Sequence, residues 1–90
     1  MRNIITVGQF KRDVKLCKKR NKDMTKLREL MLLLIEEKSL PPKYGDHPLQ
    51  GNWKLHRDSH IEPDWLLIYK LDGNDLYFVR TGSHSDIFGS

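Results

Sequence analysis

Residues 65–81 read WLLIYKLDGNDLYFVRT, and this stretch decides the fold. Two runs rich in aromatic and aliphatic side chains, 65–71 and 76–81, flank Asp72-Gly73-Asn74, a turn signal of the kind that joins antiparallel strands. Working outward toward the amino terminus, residues 53–59 form a third run of the same character. It is set off by Ile61-Glu62-Pro63-Asp64, so the carboxy-terminal half reads as a three-stranded antiparallel meander.

Further upstream the period changes from two to that of a helix. Met24, Leu27, Leu30, Met31, Leu34 and Ile35 repeat at i, i+3, i+4, with Asp23 placed to cap the first turn. Leu32 and Leu33 lie off that stripe, so this helix is apolar on more than one face and offers a surface to a partner. Residues 9–20 give a first helix with Phe10, Val14 and Cys17 on its apolar side. Lys11, Arg12, Lys15, Lys18, Lys19 and Arg20 fill the rest. Ile4, Ile5 and Val7, ended by Gly8, read as a short first strand. Between the second helix and the meander, residues 38–51 carry three of the prolines and two glycines and read as an ordered loop. The expected fold is a single α+β domain over 1–90, a two-helix hairpin packed on a twisted antiparallel sheet of about four strands. If the first strand joins the sheet, loops and tail alone cover the far face, where a ligand would sit.

Composition narrows the possible partners without choosing among them. The chain of 90 residues is 38% hydrophobic and 31% charged, enough for one modest core but not two. A formal net charge of +4 favours an anionic partner: RNA, DNA, an acidic protein or an anionic membrane. Cys17 is the single cysteine, which excludes an internal disulfide, suits a reducing cytosol and reads as a small buried hydrophobe. Residues 1–7 are too short for a signal-peptide core and the apolar run 30–35 is too short to span a bilayer, so the expectation is a soluble, cytoplasmic protein.

All four histidines, His47, His56, His60 and His84, lie in the carboxy-terminal half. Asp64 follows His60 across the Glu62-Pro63 turn, and Arg80 and His84 end the last strand, where the meander can bring them beside that turn. Three imidazoles, a carboxylate and a guanidinium suffice to cleave RNA through the ribose 2′-hydroxyl. That reaction needs a base for the 2′-proton, a cation for the charge gathering on phosphorus and an acid for the departing 5′-oxygen. Imidazole serves either proton role near neutral pH, a guanidinium fork can clamp the phosphate, and Trp65 or Phe88 could stack an unpaired base. The same histidines with Asp64 could instead hold zinc, although no pair stands at the separations usual for that metal. On the residues alone, the two chemistries are about level. For Trp53 and Trp65, burial in the core is the more ordinary fate. For Arg57 the ordinary reading is an ion pair with Asp58 or Glu62, and for the lysine-rich helix a solvated face.

Asp46-His47-Pro48-Leu49, Gly51-Asn52-Trp53-Lys54, residues 60–65 (HIEPDW) and residues 80–84 (RTGSH) closely resemble the YafQ branch of the RelE/ParE toxin superfamily. The segments KRDVKL at 11–16 and KDMTKL at 22–27 extend the resemblance over nearly the whole chain. It implies a RelE-like fold and a ribosome-dependent, metal-independent endoribonuclease that cuts translated messenger RNA and needs no cofactor. It also implies partners: a cognate antitoxin, the 70S ribosome with its mRNA, and operator DNA bound through the toxin–antitoxin complex. Carried over by position, His47, His60, Asp64 and His84 form the catalytic set. We assign His84 as general acid and His47 as general base, with His60 and Asp64 steadying charge or orienting a neighbour, the base and stabilising roles being open to exchange. Arg80, Trp65 and Phe88 support the site, and Lys11, Lys15, Lys18 and Lys19 are weaker candidates for ribosomal RNA contact. The sequence departs from the branch at Leu55-His56, where a glycine and a tyrosine are expected, so His56 inherits no role. Two other classes stand beside the nuclease: a toxin that binds and poisons DNA gyrase, as the ParE branch does, and a plain nucleic-acid-binding repressor. Neither explains the clustered histidines.

Overall fold

In the computed structural model, which describes residues 2–89, the elements run β1 (Asn3–Thr6), α1 (Gly8–Lys19), α2 (Met24–Ile35), β2 (His47–Pro48), β3 (His56–Glu62), β4 (Trp65–Asp72), β5 (Asp75–Gly82) and α3 (His84–Phe88). The α+β expectation holds. Asp23 caps α2 as its sequence position suggests, its side chain accepting from the Thr25 N–H at 3.1 Å. The meander forms as two antiparallel ladders, β3 with β4 and β4 with β5.

Four features differ from the expectation. The sheet has five strands in the order β1-β5-β4-β3-β2, and its first strand pairs parallel to β5, with Ile4 opposite Leu76, so the sheet is mixed. Val7 belongs to the entry of α1 and not to the strand. Trp53 lies in a short 3-10 turn (Gly51–Trp53), so β3 starts at His56 and not at the tryptophan. The expected loop contributes β2, two residues that pair with Asp58 and Arg57 at the far edge.

One face of the sheet meets the helices. Phe10, Cys17, Leu27, Leu30 and Leu34 pack there against Trp65, Leu67, Tyr69, Leu76 and Phe78, and Tyr44 from the proline loop joins them. Neighbouring strand residues point to opposite faces, so Leu66 and Ile68 emerge on the other side. There they meet Ile87 of α3, with Leu49, Trp53 and Val79 packed around them. That second, smaller core is built from loop and tail, and it carries the candidate site at its edge.

Beyond Phe78 the strand β5 has no strand partner on its β1 side among the described residues. Asp13 of α1, 6% exposed, takes over that role: its carboxylate accepts from the Thr81 N–H at 3.1 Å and from Arg80 Nε at 2.7 Å. A buried carboxylate is tolerable here because a backbone donor and a guanidinium both satisfy it. Asp86 of α3 pairs with Arg20 of α1 at 2.7 Å and closes a reciprocal cap with Ser83, each residue's side chain accepting the other's backbone N–H. These contacts fix the tail that carries His84.

Candidate active site

The alternation of β3 sorts its residues by face. Ser59 and Arg57 sit opposite Leu67 and Tyr69 on the helix side, while Asp58 and His60 sit opposite Ile68 and Leu66 on the other. His47 is paired with Asp58 and so shares the second face. Its neighbour Asp46 turns the other way, where it accepts from Arg57 Nε at 2.7 Å, Arg57 Nη2 at 2.6 Å, Ser59 Oγ at 2.5 Å and the Tyr69 hydroxyl. With burial and this carboxylate acting together, the Tyr69 phenol is pushed far above its ordinary value. Asp46 therefore anchors a two-residue strand, and His47 is placed by its neighbour's hydrogen bonds.

The imidazoles form a chain across this face. His47 and His60 ring centroids are 6.0 Å apart, His60 and His84 are 5.8 Å apart, and Phe88 stands 6.4 Å beyond His84. His84 opens α3, and Asp64 holds it twice: Oδ1 lies 2.5 Å from its Nδ1 and 2.9 Å from its backbone N. The backbone N–H, and then the ring, hold the Asp64 carboxyl below the usual carboxylate range. At the other end, His47 Nδ1 lies 3.1 Å from the Pro48 carbonyl oxygen. A carbonyl can only accept, so Nδ1 is the donor, and in the neutral ring the lone pair stands on Nε2.

His47, His60, Asp64 and His84 are thus brought together, as their positions in sequence suggest. Phe88 is 42% exposed and stands edge-on to Trp53 at 5.7 Å, so part of its surface is open beside His84. Trp65 is fully buried, its indole N–H donating to Thr81 Oγ1 at 3.0 Å; it supports the site from within the core and has no face for stacking. Arg80 differs from the expectation, because its guanidinium is held by both oxygens of Asp13, at 2.7 and 3.3 Å. The fork is spent on a fold contact, so a bidentate phosphate clamp is not preformed. Arg57 pairs with Asp46 and not with its strand neighbour Asp58, which faces the other side, while Glu62 pairs with Lys22 and Lys26. Lys11, Lys15, Lys18 and Lys19 are exposed on α1. The first three border an apolar groove between α1 and α2 with Phe10, Leu27 and Met31, away from the histidine face. His56 packs against Trp53 at 5.4 Å and takes no part in the row. Cys17 is buried, and burial pushes its thiol up, in keeping with a core residue.

Asp58 is the participant that sequence reasoning missed. It is 3% exposed, faces His47 Nε2 at 3.6 Å and His60 Nδ1 at 3.8 Å, and burial raises its carboxyl above the ordinary range despite the two imidazoles. The i, i+2 relation of Asp58 to His60 on a strand was the signal that could have found it. His47, Asp58 and His60 also have ligand atoms that all lie within 4.8 Å of one another. Among the described residues, no helix is long and apolar enough to cross a membrane.

The family profile described as a bacterial toxin of type II toxin-antitoxin system, YafQ, matches residues 2–89. The mRNA interferase toxin YafQ of Escherichia coli K12 is 57% identical over 89 residues, 98% of this chain and 97% of that protein. Among solved structures, the E. coli DinJ-YafQ complex superposes with a TM-score of 0.93 at 57% identity, over 99% of this chain and 100% of that one. A metal-bound toxin from Helicobacter pylori superposes with a TM-score of 0.90 at 41% identity, over 98% of this chain and 100% of the other. With a profile matching almost end to end and a relative this similar over its full length, the chain belongs to the YafQ family of type II toxin–antitoxin toxins.

Proposed function

We propose that this chain is a ribosome-dependent endoribonuclease that cuts translated messenger RNA by general acid–base catalysis through the ribose 2′-hydroxyl. The observation that carries it is the row of three imidazoles on one sheet face, each end with its outer nitrogen fixed by a different partner. His47, with its Nδ1 proton on a carbonyl, offers the Nε2 lone pair as base to the 2′-proton. His84, its ring oriented by the Nδ1 contact with the Asp64 carboxylate, serves as the acid, its Nε2 facing the departing 5′-oxygen. His60 lies between them, where the phosphate passes and negative charge develops. Phe88 offers an edge for a neighbouring base. The chemistry is complete in protons without a metal, which agrees with the metal-independent activity that the resemblance implies.

The E. coli relative is an mRNA interferase and its family member has been solved with DinJ. The sequence resemblance adds the setting to this reading: the chain works in the cytoplasm on the 70S ribosome and its mRNA. It is held inactive by a cognate antitoxin, and the pair binds operator DNA. The test is primer extension on mRNA from cells induced to express the wild-type chain or His84→Ala. Codon-phased cuts that vanish in a variant of unchanged circular dichroism are the expected result. Toxicity without cuts overturns the reading and points to a gyrase-binding toxin.

A further inference from the structure

We propose that a cavity beside His60 seats the base of the nucleotide whose 2′-hydroxyl attacks, and that its lining favours a base with an exocyclic amino group over uracil. The effect on cutting rests on the nuclease reading, whereas binding in the cavity does not. β2 pairs with β3 only at Asp58 and Arg57, so among the described residues no strand covers the outer edge of β3 from His60 to Glu62. Between that edge, α2 and the proline loop lies a cavity of about 560 Å³, within the range of roughly 300–1,000 Å³ of small-ligand sites. His60 is one of its walls. Gly45 closes on the same ring: it stands at φ +52°, and a Cβ there would lie 3.4 Å from His60 Nδ1, so loop backbone and imidazole form adjoining walls.

The direction along the RNA follows from the row of rings. His84 and Phe88 stand at the end where the 5′-oxygen departs, so the nucleotide downstream of the cut lies there. The cavity instead adjoins His60 and Gly45, two residues before His47. The 2′-proton is taken at this end, whichever of His47 and His60 takes it, so the base beside it belongs to the upstream nucleotide. Tyr44, Ile61 and Pro63 give the cavity apolar surface for the plane of a base. Of its charged groups, Lys26 is held by Glu62 at 3.0 Å. Glu29 of α2 and Lys43 of the loop remain, both exposed, the lysine ammonium lying 5.2 Å over the Tyr44 ring. The carboxylate can only accept and the ammonium can only donate. Adenine, cytosine and guanine each offer an acceptor for Lys43 and an amino donor for Glu29, whereas uracil has two carbonyls and no amino group.

The experiment titrates the full chain with adenosine, cytidine, guanosine and uridine 3′-monophosphates and follows amide resonances by nuclear magnetic resonance. The Gly45 and Ile61 amides should shift saturably, with uridine monophosphate at least about fivefold weaker than the other three, the lower end of what one well-made base contact discriminates. Glu29→Ala should erase most of that difference, and Lys43→Ala should weaken all four nucleotides without changing their order. Both side chains are exposed, so the fold is expected to survive, with circular dichroism as the check. Arg28→Ala, which lines the groove on the α1 side of α2, should keep the wild-type order. In reconstituted translation of an mRNA carrying all four bases at each position, cuts after uridine should be at least about fivefold rarer than after the other bases, and Glu29→Ala should level them. Absence of saturable shifts at Gly45 and Ile61, or equal affinity for all four nucleotides, overturns the subsite. Cutting whose base profile Glu29→Ala leaves unchanged overturns it too, while the nuclease reading stands. A chain that binds the nucleotides as expected yet never cuts refutes the nuclease reading and leaves the subsite standing.

Discussion

Replacing Asp46 by alanine tests how a two-residue strand can hold His47 in place. The carboxylate serves Arg57, Ser59 and Tyr69 at once. In the variant, the O–H donors of Ser59 and Tyr69, residues 0% and 2% exposed, lose their acceptor where water does not reach, while the Arg57 guanidinium still donates to the Tyr69 oxygen. Each such orphan costs about 1–3 kcal/mol. The Arg57 side chain is 39% exposed, so its share is discounted to about 0–1 kcal/mol. The expected loss is roughly 3–5 kcal/mol, within the range for breaking a buried charged contact. For a domain of this size each kcal/mol moves the melting temperature by about 4–8 °C, so thermal unfolding by circular dichroism should fall by at least about 12 °C. Asp46→Asn keeps one acceptor oxygen and should lose about half as much. A fall below about 4 °C in the alanine variant would refute the argument, because it would mean that the hydroxyls find other partners and that β2 does not depend on this carboxylate.

Four further outcomes follow from other parts of the molecule. Leu55 is 75% exposed with φ +73°, a left-handed conformation that strains a leucine by roughly 1–2 kcal/mol; Leu55→Gly should raise the urea midpoint slightly, after about 0.5–1 kcal/mol is returned to the freer unfolded chain, and a lower midpoint would sink the strain reading. Asp13→Ala strips Arg80 and the Thr81 N–H of their shared partner, and should cost about 3–5 kcal/mol with faster amide exchange at residues 79–82; unchanged exchange there would show that Asp13 does not close the strand. Asp86 is held below the ordinary carboxylate range, first by the Arg20 hydrogen bond and then by the Ser83 N–H; its contribution of about 0–1 kcal/mol is present above the unfolded value near pH 3.9 and lost as pH falls through the folded one, so the wild type's lead over Asp86→Asn in urea should shrink on acidification. Trp65→Phe removes the bond to Thr81 and some core volume, costing about 1–3 kcal/mol by urea unfolding; a neutral result would mean that the buried N–H contributes nothing.

The legible parts of this chain were those governed by local periodicity. The α2 stripe, its Asp23 cap and the β4–β5 turn follow from spacing and residue type alone. What local pattern could not supply was pairing at a distance. Nothing in Ile4 or Ile5 tells whether their strand runs parallel or antiparallel to β5, because the partner lies 72 residues away. The Arg80–Asp13 contact is hidden for the same reason, and it turned an expected phosphate clamp into a brace. Trp53 misled because an aromatic ring scores as strand wherever it packs, and here it packs from a 3-10 turn. The histidines were found through residue type and resemblance, but Asp58 was read only as a neighbour of Arg57, although strand alternation already set it on the side of His60.

The pairing of β1 with β5 and the seat of His84 in α3 have a consequence in time. A chain emerging in order presents its helices and its first strand long before β5 exists to receive that strand, and long-range closure of this kind is slow to be rewarded. The histidine row is completed only when residue 84 has been added and has met Asp64. A growing chain thus carries its early histidines with neither the closed sheet nor the last ring, and synthesis outruns the assembly of the row.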